Sequence, residues 1–190
     1  MRAIPTTLSR PFAVTRSLPA MALGSLLFAV LTAASSAVAF PLAFSPVPIT
    51  LQTLVVILSG AMLGPLWGPV SQILYLGAGT TGMPVFAGGA GGPGVLAGPT
   101  GGYLIGFVIA AWTAGLFLRP GASWLRITAG LLLAHVVVFL FGVSHLMVFI
   151  GSDVGHALDL GVIPFLPGMV FKTAVAAAIL RRRTLGWFRE

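Results

Sequence analysis

Cysteine is absent from the 190 residues, acidic side chains number three, and lysine occurs once. Without cysteine there is no disulfide, no thiolate metal site and no cysteine nucleophile. With only 7% charged residues against 57% hydrophobic, and a mean hydropathy of +1.06, the chain lacks the polar surface of a soluble domain. It reads as one integral membrane domain embedded in a lipid bilayer. No G-x-x-x-x-G-K-[ST] run occurs, so a P-loop ATPase is excluded. Gly89-Ala90-Gly91-Gly92-Pro93-Gly94 satisfies G-x-G-x-x-G, but no βα unit precedes it and no dinucleotide site is expected. No nucleophile sits beside a base and no two carboxylates lie within predicted spans, so no catalytic residues and no cofactor are expected.

The net charge of +7 superficially suggests a nucleic-acid partner. Its distribution argues otherwise: nine of the ten basic residues are arginines, grouped at Arg2, Arg10 and Arg16, at Arg119 and Arg126, and at Arg181, Arg182, Arg183 and Arg189. That is the pattern of membrane topology, not of a DNA-binding face.

Six spans follow from the apolar runs. Residues 1–16 form a basic tail, and the uncharged run Ser17–Phe40 is predicted helix 1. A signal peptide ending at Ala37-Val38-Ala39 competes for this stretch, although the run is longer than a typical signal core. Ser25, Ala29, Ala33 and Ala37 recur every four residues and predict a small-residue docking face, for a neighbour in the bundle or for a partner protein. Pro41–Pro48 cannot be helix throughout. Helix 2 is expected from Ile49 or Thr50 to Leu63, with a tight turn at Gly64-Pro65, and helix 3 from Trp67 to Thr81. Helix 4 spans Gly102–Leu118, helix 5 Trp124–Ile150, and an acidic loop Gly151–Phe165 leads to helix 6 from Pro167. The expected fold is an all-α six-helix bundle over residues 17–181, with a cytoplasmic basic tail at 182–190. The positive-inside rule puts both termini in the cytoplasm of a multi-pass protein of the cytoplasmic (inner) membrane.

Between helices 3 and 4 lies Phe86–Tyr103, FAGGAGGPGVLAGPTGGY, with eight glycines and two prolines. Irregular backbone at membrane depth must be buried in protein or line a polar cavity, so the segment is read as a re-entrant or outer binding loop. Lys172 lies inside helix 6, roughly 7–8 Å past Pro167. An intramembrane cation on the side opposite the arginines is costly and predicts a cavity with an anionic guest, snorkelling to the headgroups being the bland alternative. Helices 2, 4 and 6 all begin on that side and add their positive N-terminal ends. Thr50, Gln52 and Thr53, together with Tyr75, Phe86, Thr100 and Tyr103, supply the polar and aromatic handles of a pocket for a small amphipathic acid. A second reading takes Asp153, His156 and Asp159, with His145, as a transition-metal cluster of a membrane-embedded metal-binding or enzymatic protein.

The runs Val47–Gly68, Gly82–Phe107 and PFLPGMVFK (Pro164–Lys172) together resemble the BioY family, the biotin-specific S components of energy-coupling-factor (ECF) vitamin transporters. The resemblance implies six helices and capture of biotin from the outer side. It also implies partners, namely a transmembrane coupling subunit with two ATPases, docked on a helix-1 Ala-x-x-x-Ala surface that here matches Ala29, Ala33 and Ala37. It further implies that Lys172 belongs to the biotin site. Combining both readings, the candidate substrate-binding residues are Lys172, Gln52, Thr50, Phe86, Gly88, Gly89, Thr100, Tyr103 and Met169, with no resident metal. One departure stands out: members of the family carry Pro-Gly-Asp before the lysine, whereas this chain has Pro167-Gly168-Met169. Three expectations remain open: Asp153 or Asp159 folds inward, backbone carbonyls of the glycine loop accept the ureido N–H groups, or the ligand is a relative of biotin.

Overall fold

A computed structural model describes residues 17–118 and 122–186. The tail 1–16, with three of the arginines, Arg119 and the last four residues lie outside the described residues. Helix α1, Leu18–Ser36, has Pro in its first turn and is about 28 Å long, enough for the hydrocarbon core. It stops four residues earlier than expected. The proline-rich stretch beyond it is a two-stranded antiparallel hairpin, β1 (Ala39–Leu42) and β2 (Ser45–Thr50), bulged between Phe40 and Leu42. Prolines are tolerated there because each strand keeps an unpaired edge. The all-α expectation thus acquires one small sheet.

Helix α2, Gln52–Thr80, is folded back on itself at Gly64, whose φ of 87° no L side chain adopts without strain, and Pro65 follows. Hydrogen bonds across the fold prove the reversal: the Gln52 amide donates to Tyr75 Oη, although residues 23 positions apart in a straight helix would be about 35 Å from each other. The two arms, 52–63 and 65–80, are the predicted helices 2 and 3. After the glycine-rich segment, which holds a 3-10 turn at Ala87–Gly89 and the short helix α3 (Gly94–Ala97), come α4 (Gly101–Phe117) and α5 (Trp124–Ile150). Ser123 caps the start of α5 by accepting from the Arg126 N–H, and Gly151 closes it in the left-handed conformation. The expected acidic loop is mostly helical. Asp153 caps α6, Val154–Gly161, and a 3-10 turn at Ile163–Phe165 leads into α7, Leu166–Gly186. Helix α7 continues past the predicted boundary at 181, since arginine is a good helix former and nothing obliges a helix to end at the membrane edge.

Six long helical segments therefore make the bundle: α1, the two arms of α2, α4, α5 and α7. Large apolar side chains on their outer faces, such as Leu23, Leu27, Leu125, Leu140 and Val148, are exposed, as a lipid-facing surface requires. Lipid gives apolar helices no reason to associate, so contact must come from close backbone approach and interhelical hydrogen bonds. Both are present. A Cβ on Gly68 would lie 2.6 Å from Gly60 Cα, one on Gly60 2.0 Å from the Ala111 carbonyl oxygen, and one on Gly115 2.4 Å from Pro65 N. The hairpin and α4 thus touch main chain to main chain. Within the α2 hairpin the fully buried Gln72 amide donates to Ser71 and Ser59; toward α1 it donates to Thr32 Oγ1 at 3.4 Å, and Ser25 donates to the Trp67 carbonyl.

The small-residue stripe of α1 does not face one way. Each step of four residues advances about 40° beyond a full turn, so the row winds around the helix. Ser25 and Ala29 are buried in the bundle, Ala33 is half-buried against its core, and Ala37, the C-cap, is exposed. The predicted docking face is divided between an internal contact and an accessible end.

Close approach at Gly60 gives a first expectation. Gly60→Leu overpacks a backbone contact and costs about 1–3 kcal/mol or more, whereas Gly77→Ala, where a Cβ meets nothing within 4 Å, leaves stability unchanged or slightly higher. Thermal unfolding of the detergent-solubilised chain checks both.

Candidate functional site

The starts of α2, α4 and α7 converge on a cavity of about 230 Å³. It lies below the roughly 300–1,000 Å³ of sites for drug-sized ligands and suits a small molecule. β2 and the first turn of α2 contribute Pro46, Val47, Pro48, Thr50, Gln52 and Thr53. The glycine-rich segment contributes Phe86, Ala87, Ala90, Val95 and Thr100. Tyr103, Leu104 and Phe107 come from α4, His135, Val138 and Phe139 from α5, and Phe165, Met169 and Lys172 from the last turn and α7.

Lys172 does not snorkel. It is 7% exposed, lines the cavity, and donates to Thr53 Oγ1 at 2.8 Å. An ammonium has three donors and no acceptor, so the Thr53 bond leaves two hydrogens to be satisfied. No Asp or Glu lines the cavity to neutralise it. Apart from Thr50, Gln52, Thr53, Thr100 and His135 the walls are mainly aliphatic and aromatic, so the site sets one cation in a largely apolar slot. That arrangement selects a molecule with an anionic head and a largely apolar body.

The remaining predicted handles are held by second contacts. Thr50 donates to Gln52 Oε1, and the Gln52 amide donates to Tyr75 Oη, which donates to the Val85 carbonyl. This chain ties the start of the glycine-rich segment to the α2 hairpin. Tyr75 itself stays behind the wall, edge-on to Phe86 with ring centroids 5.5 Å apart. Phe86 presses on Gly79, where a Cβ would lie 2.1 Å from its ring. Tyr103 turns its hydroxyl to the Gly161 carbonyl at 2.8 Å and its ring to Gly142, bracing α4 against α5 and the end of α6. Of the nine predicted residues, Lys172, Gln52, Thr50, Phe86, Thr100, Tyr103 and Met169 line the cavity. Gly88 and Gly89 do not. With φ of 72° and 74° they form the turn that presents Ala87 and Ala90, so their contribution is conformational.

Neither aspartate folds inward. Asp153 is fully exposed and accepts the His156 backbone N–H at 3.0 Å, a bond that holds its carboxyl below the usual range, and Asp159 is exposed on α6. The carboxylate of Asp153 is spent on the helix cap. His145 bonds the Gly98 carbonyl instead of joining them, and no group of three metal-ligating side chains assembles among the described residues.

His135 and the aromatic lining from Phe107, Phe139 and Phe165 escaped the sequence reading. The three phenylalanines are indistinguishable from ordinary core residues in an apolar helix. His135 carried a usable signal: it is an ionisable side chain in the apolar middle of a predicted span, and such residues mark function more often than packing.

The comparisons with known proteins agree with this geometry. Residues 8–186 match the BioY family. Among relatives, a probable biotin transporter BioY of Pyrococcus horikoshii is 41% identical over 156 residues, covering 82% of this chain and 91% of that protein. The biotin transporter BioY of Thermotoga maritima is 35% identical over 156 residues, covering 82% and 90%. Among solved structures, an S-component for biotin from an ECF-type ABC transporter superposes with a TM-score of 0.80 at 27% identity, covering 90% of this chain and 96% of that one. With a match over nearly its whole length and a fold shared with an S-component, this chain belongs to the BioY family.

Proposed function

We propose that the chain is the substrate-binding S component of a biotin uptake transporter, not an enzyme, and that the cavity at the heads of α2, α4 and α7 is where biotin binds. The observation that carries this reading is the buried Lys172, bonded once to Thr53 in a cavity without an acid. The valerate carboxylate of biotin is the counter-ion that the ammonium lacks. The bicyclic ring then lies among Phe86, Phe107 and Phe139, with the glycine-rich segment as a wall. The closely related biotin transporters and the S-component fold support the choice of vitamin. The metal-dependent reading has no observation in its favour.

The cavity opens to the outside in this reading. The Arg181 guanidinium lies 5.9 Å from the Trp124 ring centroid, so the start of α5 and the far end of α7 share one membrane face. That face carries the described arginines, and the positive-inside rule makes it cytoplasmic, with both termini and the tails 1–16 and 182–190. Asp153 and Asp159 then face outward. The chain works with ECF partners, a transmembrane coupling subunit and ATPase subunits, because it has no ATP-binding motif of its own. Docking uses the accessible end of the α1 stripe, Ala37 with the half-buried Ala33, while Ala29 serves the bundle.

Three outcomes are expected. Lys172→Gln weakens radiolabelled biotin binding by on the order of 10- to 100-fold, the loss of a hydrogen-bonded charge; unchanged affinity removes the proposed site. Because the chain has no native cysteine, single cysteines report topology cleanly. In intact cells Val154→Cys reacts with a membrane-impermeant maleimide, and Ser123→Cys reacts only after permeabilisation; the reverse pattern inverts the orientation. Ala37→Trp leaves biotin binding intact and cuts uptake in cells expressing the coupling partners, and undiminished uptake places docking elsewhere.

A further inference from the structure

The carbonyl of Val85, the residue before the cavity-lining Phe86, accepts from two hydroxyls that reach it from different helices. Tyr75 Oη comes from the second arm of α2 at 3.2 Å, and Ser36 Oγ from the last residue of α1 at 2.7 Å. Both side chains are buried, but their obligations differ. The Tyr75 hydroxyl accepts from the Gln52 amide and has one hydrogen to give, which goes to Val85. The Ser36 hydroxyl also lies 2.7 Å from the Ala33 carbonyl oxygen of its own helix, so its single hydrogen divides between two acceptors. Tyr75 is the firm tie and Ser36 the second one.

What hangs on this carbonyl is the aromatic wall of the cavity. The Phe86 N–H donates to the Ala90 carbonyl at 2.9 Å, and its ring stands edge-on to Tyr75 and against Gly79. Gly88 and Gly89 follow at once in the left-handed conformation. Backbone so rich in glycine has more freedom to lose on ordering than any other, so a ring carried on it keeps its place only if neighbouring elements hold the chain. Neither Tyr75 nor Ser36 lines the cavity, so any effect of either on a ligand passes through Phe86. Ser36 also lies between Ala33 and Ala37, so the end of α1 proposed for docking is the end that helps to hold this wall.

We infer that Tyr75 and Ser36 are positioning residues for biotin capture, holding the Val85 carbonyl from two helices and so fixing where the Phe86 ring meets the bicyclic ring of the vitamin. The inference rests on the biotin reading and adds to it two residues that touch no ligand. Either hydroxyl still holds the carbonyl when the other is gone, so their contributions are coupled and the second loss costs more than the first. Tyr75 carries the larger single share, because its removal also leaves the Gln52 amide without its acceptor.

The test is the dissociation constant of radiolabelled biotin on the purified full chain, for wild type, Ser36→Ala, Tyr75→Phe and the double variant, each repeated with Phe86→Leu. Ser36→Ala is expected to weaken binding by roughly 2- to 3-fold, Tyr75→Phe by roughly 10-fold, and the pair by on the order of 100-fold, more than the product of the two. With Phe86→Leu the same pair costs little more, because the ring that it positions is gone. A double variant no weaker than that product overturns the inference. So does an undiminished cost with Phe86→Leu, the mark of a merely structural role, since general loosening of the bundle acts whatever stands at position 86. Should the double variant not fold, Tyr75→Phe with and without Phe86→Leu decides alone: equal cost in both overturns it. Saturable wild-type binding with any of these results defeats this inference only, whereas no saturable binding of biotin to wild type defeats the biotin reading and this inference with it.

Discussion

A single ammonium buried in an apolar bundle governs the design of this molecule. Taking a charge out of water is expensive, and a protein normally offsets it with a carboxylate. Here the Lys172 amino group has one hydroxyl, that of Thr53, and a cavity. Leaving the cation incompletely satisfied destabilises the empty state relative to the loaded one. In the proposed reading, binding energy comes from relieving a cost that the fold already bears, so that a small cavity with few polar contacts favours an acid. It also fits the position of the two aspartates, which cap or lie exposed on α6 away from the cavity: a carboxylate near Lys172 would neutralise it without a ligand.

Such a site needs rigid walls, and the wall materials follow from the solvent. In lipid, helices hold together through backbone proximity and buried hydrogen bonds. Gly60, Gly68 and Gly115 bring the α2 hairpin and α4 into main-chain contact, Gln72 with Ser59 ties the two arms of that hairpin together, and Thr32 and Ser25 of α1 bond to Gln72 and the Trp67 carbonyl. The Gln52, Tyr75 and Val85 hydrogen bonds then carry that rigidity to the glycine-rich segment. Packing below the cavity and recognition within it are parts of one scaffold, with the start of α2 belonging to both.

Much of this was legible beforehand because membranes simplify reading. Helix α5 runs from Trp124 to Ile150 as expected, since an apolar run whose single arginine, Arg126, lies in the first turn, between a serine cap and a glycine stop, admits little else. The reversal at Gly64-Pro65 was visible because glycine admits the positive φ of a turn and proline disfavours continuing a helix, although Gly68-Pro69, the same dipeptide, is carried inside the second arm. The cavity position of Lys172 followed from the cost of its charge. What escaped notice had weaker local signals. The β1–β2 hairpin hides in a proline-rich stretch without alternation, and α6 hides in a segment whose aspartates suggested a solvated loop. The α1 stripe is divided for a geometric reason, a period of four laid on a helix of 3.6 residues per turn, so that Ser25 and Ala29 pack in the bundle while Ala37 is exposed. The roles of Gly88 and Gly89 were misjudged because glycine composition reveals backbone freedom but not which neighbour it turns inward.

By itself the sequence determined a run of long apolar helices, a glycine-rich segment that interrupts them, and one cation inside the last of them, because hydropathy, helix breakers and the cost of a buried charge are properties of short segments. Only the tertiary structure decided that Thr53 is the partner of Lys172, that Asp153 caps a helix instead of entering the cavity, and that His135 of α5 lines the same cavity as Met169 of α7. Those relations join residues from different helices, and they depend on how glycines set the spacing and rotation of whole elements, which no local run of residues encodes.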